Sequence, residues 1–345
     1  MRFSSFLNAA GPVDRPEAQV HIHPQSETGL PVSLIEAAEA GLDFAEWARR
    51  RKGWIAEQLY ASGGLLFRGF AVCEASEFER GVRAVATTGE LMNYVENTSP
   101  RTTVLGNVKT STDHPAHEEI VLHNEHSFSN VFPAKLFLCC RMPPETGGET
   151  PLADCRRIMA KLPAAIRKRF GDKGGYLYVR NFGAGFGPSW QTVFQKQSRT
   201  ELEEYLRACD IGFEWRDGDR LRISYRRPVE ATHPVTGKLC WFNHVLFWHV
   251  SSLRSEVKEV LLHSFDEQDL PNQSFYGDGS SIEADVIEEI RSVYAEEASW
   301  TAWHPGDLLL IDNVLMAHGR RPYTGKRLIL FAMADPWTRA DIGPL

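Results

Sequence analysis

Short apolar runs, each only a few residues long, recur along this chain between glycine, proline and aspartate residues. Runs of this length with turn residues at both ends are typical of β-strands, because a helix needs a longer amphipathic stretch. Many such runs in one chain favour an antiparallel sandwich or barrel decorated by helices. The predicted strands cover residues 65–70, 103–108, 120–122, 136–139, 176–179, 220–224, 239–241, 308–311 and 328–332.

Three helices are predicted around these strands. Asp43 and Glu46 have the spacing of an N-cap and its reciprocal partner, and apolar residues follow at helical spacing up to Gly63. A second helix runs through 78–85, and a third is predicted where Ser280 and Glu283 form another capping-box pattern.

The 345 residues, 43% of them hydrophobic, are enough to bury one large core, and one sheet framework of this size is often undivided. Residues 1–40 are rich in proline, serine and glycine and are predicted to form an extended N-terminal arm. The sequence therefore predicts that residues 41–345 form a single domain.

Charge and hydropathy exclude several classes of partner. A formal net charge of −7, with lysine and arginine scattered along the chain, offers no basic surface for nucleic acid. The chain contains neither a run of about 18 apolar residues nor an apolar core of signal-peptide length. We expect a cytoplasmic enzyme without a membrane partner; its oligomeric state stays open.

Two polar segments follow apolar strands and carry metal-ligand residues. His123 and Glu125 follow the apolar residues 120–122, and in an extended chain their side chains would point to the same face. His318 follows the apolar run 308–311. Two histidines and one carboxylate on one face of a metal leave the other face open, as in non-haem iron(II) oxygenases. Alone this pattern is weak, because single histidines are more often structural.

The segments around these residues make the pattern more specific. With them the chain resembles the TauD/TfdA family of 2-oxoglutarate-dependent dioxygenases, in particular its SyrP-like branch and, more remotely, clavaminate synthase. The resemblance covers most of the chain, in the order of the family: LFRGF at 66–70, LHNE at 122–125, GGET at 147–150, VRNFG at 179–183 with WQ at 190–191, WFN at 241–243, YGDG at 276–279, and the segment 312–327.

The resemblance implies a double-stranded β-helix, or jelly-roll, core. It implies that His123, Glu125 and His318 bind Fe(II) and that Thr150 and Arg327 hold the far carboxylate of the co-substrate 2-oxoglutarate. Arginine suits that role because its planar fork pairs with a carboxylate and stays charged when buried. Many relatives have a second arginine four residues later, where this chain has Phe331, so Arg320 or Arg321 is a candidate for that charge.

The implied reaction is an O₂-dependent hydroxylation, because Glu125 fills the ligand position that related halogenases leave to chloride. Desaturation or ring closure would use the same ligands. The resemblance points to an amino acid, free or presented by a carrier protein, in specialised-metabolite (antibiotic) biosynthesis. The alternatives are a catabolic dioxygenase of a small sulfonate or carboxylate, and a cupin-like protein that binds metal without turnover.

Polar residues near the motifs are candidates for substrate contacts, because small-molecule sites orient their ligand with a few polar groups. His126 is either a neighbour of the metal site or a surface residue. His114 and His117 lie in a loop that leads to the site, either as lid residues or as plain loop residues. The candidate substrate-binding residues are Asn124, Arg180, Asn181 and Gln191.

Overall fold

The computed structural model describes residues 19–342, apart from residues 73, 94, 97–100, 184 and 186. Its strands are β1 (Val20–His23), β2 (Ser33–Ala37), β3 (Leu42–Asp43), β4 (Gly64–Arg68), β5 (Phe70–Ala71), β6 (Thr103–Leu105), β7 (Val108–Thr110), β8 (Ile120–His123), β9 (Val131–Met142), β10 (Thr146–Gly147), β11 (Leu152–Asp154), β12 (Tyr176–Phe182), β13 (Gly212–Trp215), β14 (Leu221–Arg227), β15 (Glu230–Thr232), β16 (Leu239–Trp241), β17 (Asn272–Tyr276), β18 (Leu308–Asp312), β19 (Met316–Arg320), β20 (Tyr323–Thr324) and β21 (Leu328–Thr338).

The α-helices of the described residues are α1 (Gln25–Thr28), α2 (Phe44–Arg50), α3 (Lys52–Ser62), α4 (Ala75–Val85), α5 (Cys155–Lys161), α6 (Ala164–Asp172), α7 (Trp190–Phe194), α8 (Arg199–Ala208), α9 (Val245–Trp248), α10 (Ser255–Ser264) and α11 (Ala284–Glu297). Two 3-10 helices cover Val250–Ser252 and Glu267–Asp269. Among the described residues, no helix is both long enough and apolar enough to cross a membrane.

The strands form one large sheet and several smaller ones. The large sheet has the order β1-β2-β4-β18-β9-β21-β7-β6, and most of its neighbouring strands are antiparallel. Two smaller sheets have the orders β11-β19-β8 and β13-β14-β12-β17. Most neighbours in these sheets are non-consecutive strands, as in a jelly roll.

Alternation along the central strands gives the large sheet two apolar faces. In β9, Leu136 and Leu138 pack into the core shared with the smaller sheets, whereas Phe137 and Cys139 pack under the helices α2, α3 and α4. Successive side chains of a strand point to opposite faces, so a strand covered on both sides reads as a continuous apolar run. The metal-ligand residues belong to the side that faces the smaller sheets.

All predicted strands fall on observed strands, with shifted ends. The predicted strand 103–108 is a hairpin of β6 and β7, because Gly106 adopts a left-handed conformation (φ 52°) and turns the chain. The predicted strand 136–139 is only the apolar centre of β9, which continues through polar residues because β18 and β21 pair with it on both sides.

The helix predictions need two corrections. Asp43 caps α2 by accepting a hydrogen bond from the Glu46 amide at 2.9 Å, as expected, but the helix breaks at Arg51 before α3. The predicted capping box at Ser280 is absent: Glu283 is the N-cap of α11, and the Ser280 hydroxyl instead donates to Asp278 at 2.6 Å.

The structure describes residues 19–40 of the predicted N-terminal arm. β1 and β2 pair with each other, and β2 runs parallel to β4 at one edge of the large sheet. Val20 and Ile35 are buried in the core beneath the helices. Residues 20–37 are therefore part of the sheet, while residues 1–18 lie outside the described residues and the division at residue 40 stays a prediction.

Candidate metal centre

The three predicted metal ligands come together at the centre of the three-stranded sheet. β19 pairs with β8 so that His318 lies opposite His123, and their ring centroids are 4.5 Å apart. Glu125 Oε2 lies 3.8 Å from His318 Nε2. One ligand atom from each residue lies within 4.8 Å of the other two, and all three residues are buried. The structure thus assembles two imidazoles and a carboxylate around one point.

The three groups are in the state that binds a cation. His123 Nδ1 lies 2.9 Å from the Val121 carbonyl oxygen, so Nδ1 carries the proton and Nε2 offers a lone pair. Burial opposes ionisation of Glu125, but Arg101 and three histidines outweigh it and lower its pKa to about 2. Burial, with the neighbouring His123, lowers the pKa of His318 to about 3. This donor set fits Fe(II) with open coordination positions.

Strand alternation, the predicted reason for grouping His123 with Glu125, needs a correction. β8 ends at His123, and Glu125 begins a turn. The Asn313 side chain fixes it there: its Oδ1 accepts from the Glu125 amide at 2.8 Å, and its Nδ2 donates to the Glu125 carbonyl at 2.9 Å and to the Pro133 carbonyl at 2.8 Å. The carboxylate ligand is therefore placed by a side chain that is distant in sequence.

Two arginines, the buried Arg227 and the partly buried Arg339, hold the rest of this turn. Arg339 donates to the carbonyls of residues 127 and 129, and Arg227 donates to that of residue 128 at 2.8 Å. His126 adopts a left-handed backbone conformation (φ 55°), and its Nε2 lies 3.6 Å from Glu125 Oε1. It is buried, so of its two predicted positions the structure supports the one beside the metal centre.

Strand β19 also places Thr150. The Gly319 amide donates to the Pro151 carbonyl and the Arg321 amide to the Glu149 carbonyl, both at 3.1 Å, so Thr150 lies across from Arg320. The preceding Gly147 is left-handed (φ 68°), and a Cβ there would collide with the Pro322 carbonyl. Glycine is thus required at position 147 for the GGET segment to lie against the loop that contains Pro322. Thr150 is buried two residues from Leu152, the strand partner of His318.

Arg327 lies directly before β21 and is fixed on two sides. Its Nε donates to the Gly148 carbonyl at 3.1 Å, and its Nη1 donates to the Ser111 hydroxyl at 3.0 Å. Burial, with the positive charge of Arg320, lowers the pKa of Arg327 to about 10, so it remains a cation at neutral pH. It lines a cavity of about 310 Å³ together with residues 110–116 and Tyr323.

The two arginines predicted to supply a second charge are engaged elsewhere. Arg320 is buried and donates to the carbonyls of His114, Pro115 and Glu118, at 2.8, 2.5 and 2.7 Å. Arg321 is 42% exposed and pairs with Glu149 at 3.6 Å. Arg320 therefore holds the loop that borders the cavity, and Arg321 lies at the surface.

The cation closest to the carboxylate ligand is Arg101, which the sequence analysis missed. Its Nη2 lies 3.0 Å from Glu125 Oε2, and its side chain is only 7% exposed. Its guanidinium centre lies 3.9 Å from the centroid of the Phe331 ring, at the position where many relatives have the second arginine. The one available signal was the missing arginine at 331, because nothing in the segment around residue 101 marks it.

The structure shows what each candidate substrate-binding residue contacts. Asn124 is fully buried and its amide donates to the Asn313 carbonyl at 2.7 Å and the Met316 carbonyl at 3.2 Å, so it joins the two ligand segments and does not face a substrate. Asn181 donates to the Leu270 carbonyl at 2.8 Å. Gln191 donates to Asp219 at 3.3 Å, in an exposed contact. The contacts of these three are thus with the protein itself.

Arg180, the fourth candidate, also contacts the protein, because its guanidinium centre lies 4.7 Å from the centroid of the Phe182 ring. It is buried and lies on β12 at the same strand parity as Tyr178. The Tyr178 ring stacks on Trp248 at 5.0 Å and packs against Phe128 at 5.4 Å, two residues after His126. Alternation therefore places Arg180 on the face of its sheet that packs towards the metal-ligand turn.

Aromatic side chains cover the other side of His123. The Phe247 ring centroid is 4.6 Å from that of His123, and the His244 ring is 5.4 Å away. His244 Nδ1 lies 2.6 Å from the Ser127 hydroxyl. In the neighbouring loop, His114 pairs with Glu118 at 2.9 Å, and Glu118 also pairs with Arg254 at 3.3 Å. His117 is mostly exposed, so His114 is the histidine tied to the loop at the cavity.

Comparison with known proteins identifies the family. The model of the taurine catabolism dioxygenase TauD, TfdA family matches residues 26–333. The chain belongs to the TauD/TfdA family. It is 35% identical over 310 residues to the dapdiamide synthesis protein DdaC of Enterobacter agglomerans, covering 90% of this chain and 93% of that protein. It is 29% identical over 305 residues to a clavaminate synthase-like protein of Arabidopsis thaliana, covering 84% and 87%.

Solved structures agree on the fold. PvcB from Pseudomonas aeruginosa superimposes with a TM-score of 0.54 at 14% identity, covering 94% of this chain and 93% of that one. A second PvcB structure, with a TM-score of 0.52, is described as that of an Fe, alpha-ketoglutarate dependent oxygenase from an isonitrile synthetic pathway. The predicted family and jelly-roll fold are confirmed, and with them the enzyme class, a dioxygenase that uses Fe(II), 2-oxoglutarate and O₂.

Proposed function

We propose that this dioxygenase oxidises an unactivated C–H bond of an amino acid or aminoacyl group in specialised-metabolite biosynthesis. His123, Glu125 and His318 hold the iron, and Thr150 and Arg327 hold the far carboxylate of 2-oxoglutarate. The observation that carries the proposal is the meeting of the three ligand atoms within 4.8 Å. A second support is the cavity lined by Arg327 and Ser111, because the Ser111 carbonyl accepts a hydrogen bond from Arg101, which also contacts Glu125. A protein that only bound metal would have no use for this buried cation.

Each residue has a chemical role that follows from its contacts. When bound, iron and 2-oxoglutarate activate O₂ and supply the oxidant that removes hydrogen from the substrate carbon. His123 keeps Nε2 free for the metal because Nδ1 donates to the Val121 carbonyl. Arg327 pairs with a carboxylate without losing its charge. Phe247 and His244 shield the site from water on the side of His123.

The choice of substrate class rests on two supports. The relative at 35% identity is named for dapdiamide synthesis, and PvcB is described as part of an isonitrile pathway, so both are biosynthetic. In this chain, Arg180 offers a buried cation on the sheet that faces the metal-ligand turn, which suits a substrate carboxylate. Whether the amino acid is free or presented by a carrier protein is decided by the assay below. The cytoplasmic location stays a prediction.

The test is a substrate screen with the protein loaded with Fe(II) and 2-oxoglutarate under air. The compounds compared are free amino acids, N-acylated amino acids, aminoacyl groups on a carrier protein, and small sulfonates and carboxylates. Turnover is measured by succinate formation and by the gain of one oxygen atom in the product. We expect turnover of one of these groups and none with Glu125→Ala. Turnover of sulfonates alone would favour the catabolic alternative. A metal-loaded protein that does not bind 2-oxoglutarate would refute the dioxygenase assignment itself.

A further inference from the structure

Arg101 is the charged residue at the metal centre that the proposed roles have not used. Its Nη2 donates to Glu125 Oε2 at 3.0 Å, and both side chains are buried. The guanidinium centre lies 3.9 Å from the centroid of the Phe331 ring, within the range of a cation–π contact. A buried carboxylate without a bound cation needs such a partner, because an unpaired buried charge is costly.

A single serine links Arg101 to Arg327. Arg101 Nη1 donates to the Ser111 carbonyl, while Arg327 Nη1 donates to the Ser111 hydroxyl at 3.0 Å. The Ser111 amide in turn donates to the Ile329 carbonyl at 2.8 Å, which fixes the serine on β21. Two guanidinium groups are therefore held on opposite sides of one residue, one towards the metal ligands and the other towards the cavity.

Metal binding changes what Arg101 can pair with. A divalent cation on Glu125 shares the charge of that carboxylate and repels the guanidinium, so the Arg101–Glu125 attraction weakens. A second carboxylate bound to the same metal would lie next to the Glu125 carboxylate. Arg101 already contacts one oxygen of that carboxylate. Bidentate pairing with such a group is what the planar guanidinium does best.

We propose that Arg101 is a positioning residue that pairs with Glu125 before the metal binds and with the metal-side carboxylate of 2-oxoglutarate afterwards. It supplies from another part of the chain the charge that Phe331 cannot. This inference rests on the proposed function. Its consequence is an ordered loading, because Arg101 exchanges Glu125 for the 2-oxoglutarate carboxylate only after the metal has taken Glu125.

The experiment measures binding to the Mn(II)-loaded protein by calorimetry without O₂, so that it does not depend on turnover. The ligands are 2-oxoglutarate and oxalate, which offers a metal-side carboxylate and no far carboxylate. Arg101→Met should bind Mn(II) at least as tightly as wild type, because a competing cation is gone. It should bind both 2-oxoglutarate and oxalate about 10- to 100-fold more weakly, because one charge-assisted hydrogen-bonded pair is lost.

Three further variants show which arginine causes which loss of affinity. Arg327→Met should weaken the binding of 2-oxoglutarate by a similar factor. It should leave the affinity for oxalate unchanged, because oxalate does not reach the cavity. Arg321→Met removes the same charge at the surface and should leave both affinities within about twofold of wild type. Arg101→Lys, which keeps the charge without the fork, should show a smaller loss, and it replaces Arg101→Met if circular dichroism shows that the latter does not fold.

The outcomes separate this inference from the proposed function. If wild type with Mn(II) does not bind 2-oxoglutarate, the proposed function fails and this inference fails with it. If wild type binds and the Arg101 variants bind 2-oxoglutarate and oxalate equally well, only the role of Arg101 is overturned. The same holds if Arg101→Met loses Mn(II) binding, because Arg101 would then serve only to hold Glu125.

Discussion

The two segments that supply metal ligands are held in different ways. His318 lies in β19, the middle strand of its sheet, with backbone pairing to β11 on one side and β8 on the other. Glu125 lies in a turn whose backbone is held by side chains, chiefly Asn313 and the arginines 227 and 339. A strand in a ladder tolerates the loss of one side chain, whereas a turn held by side chains depends on each of them. Single substitutions should expose this difference.

The largest expected effect comes from removing a ligand. Glu125→Ala and His318→Ala should both abolish activity and lower Mn(II) affinity by orders of magnitude. They should differ in stability without metal, because Glu125→Ala leaves Arg101 buried without its carboxylate, which costs about 3 kcal/mol or more in the free energy of unfolding. Denaturant unfolding of the metal-free variants measures this. Glu125→Gln fills the same space and should share the loss; equal stability of all three variants would contradict a dependence of Arg101 on Glu125.

The second largest expected effect comes from Asn313, whose side chain holds the turn that contains Glu125. Asn313→Leu leaves the Glu125 amide and carbonyl and the Pro133 carbonyl without their partner, and we expect a loss of about 3 kcal/mol in the free energy of unfolding. Mn(II) affinity should fall as well, because Glu125 is no longer fixed. Asn181→Leu is the matched control, since its amide also bonds backbone carbonyls, but on the other sheet. Metal affinity that falls equally in both variants would show that the Asn313 contacts are not specific to the site.

The third expected effect comes from Gly319 of β19, whose backbone lies close to β8. A Cβ at Gly319 would lie 2.5 Å from the Ile120 carbonyl oxygen, and backbone cannot move aside as a side chain can. Gly319→Ala should therefore push β19 away from β8, at a cost of about 1–3 kcal/mol. Because His318 precedes this residue, Mn(II) affinity should fall in step with stability. Gly171→Ala, at a glycine of α6 with nothing within 4 Å and no left-handed backbone, is a control for the loss of glycine alone, and its effect should be confined to stability.

The smallest expected effect is that of pH on metal binding. A metal competes with protons for its ligands, so a histidine with an ordinary pKa near 6.5 would make the affinity fall below that pH. Burial instead lowers the pKa of His318 to about 3, and the cations around Glu125 lower its pKa to about 2 against the effect of burial. No proton has to leave at neutral pH, so Mn(II) affinity should be nearly constant from pH 6 to 8. Release of about one proton per metal, measured by calorimetry in two buffers, would contradict this.

Local patterns predicted the elements that are set by nearby residues. The strands and the Asp43 cap could be predicted from the sequence because alternation and capping act over a few residues. Arg327 could be predicted as the co-substrate arginine because it follows His318 along one stretch of chain. Asn124 was predicted as a substrate contact and turned out to bond the Asn313 and Met316 carbonyls, because no local pattern shows which buried backbone group a distant amide will meet.

By itself, then, the sequence determined the strand-rich fold and the family. It also predicted His123, Glu125 and His318, which the structure brings together, and Arg327 as the co-substrate arginine. Only the tertiary structure decided that Glu125 lies in a turn, that Asn313 fixes it, that Arg320 holds a loop, and that Arg101 meets the metal ligands over Phe331. The physical reason is distance along the chain. Asn313 and Arg101 act through contacts with Glu125 across 188 and 24 residues, and such contacts exist only once the sheets have brought those segments together.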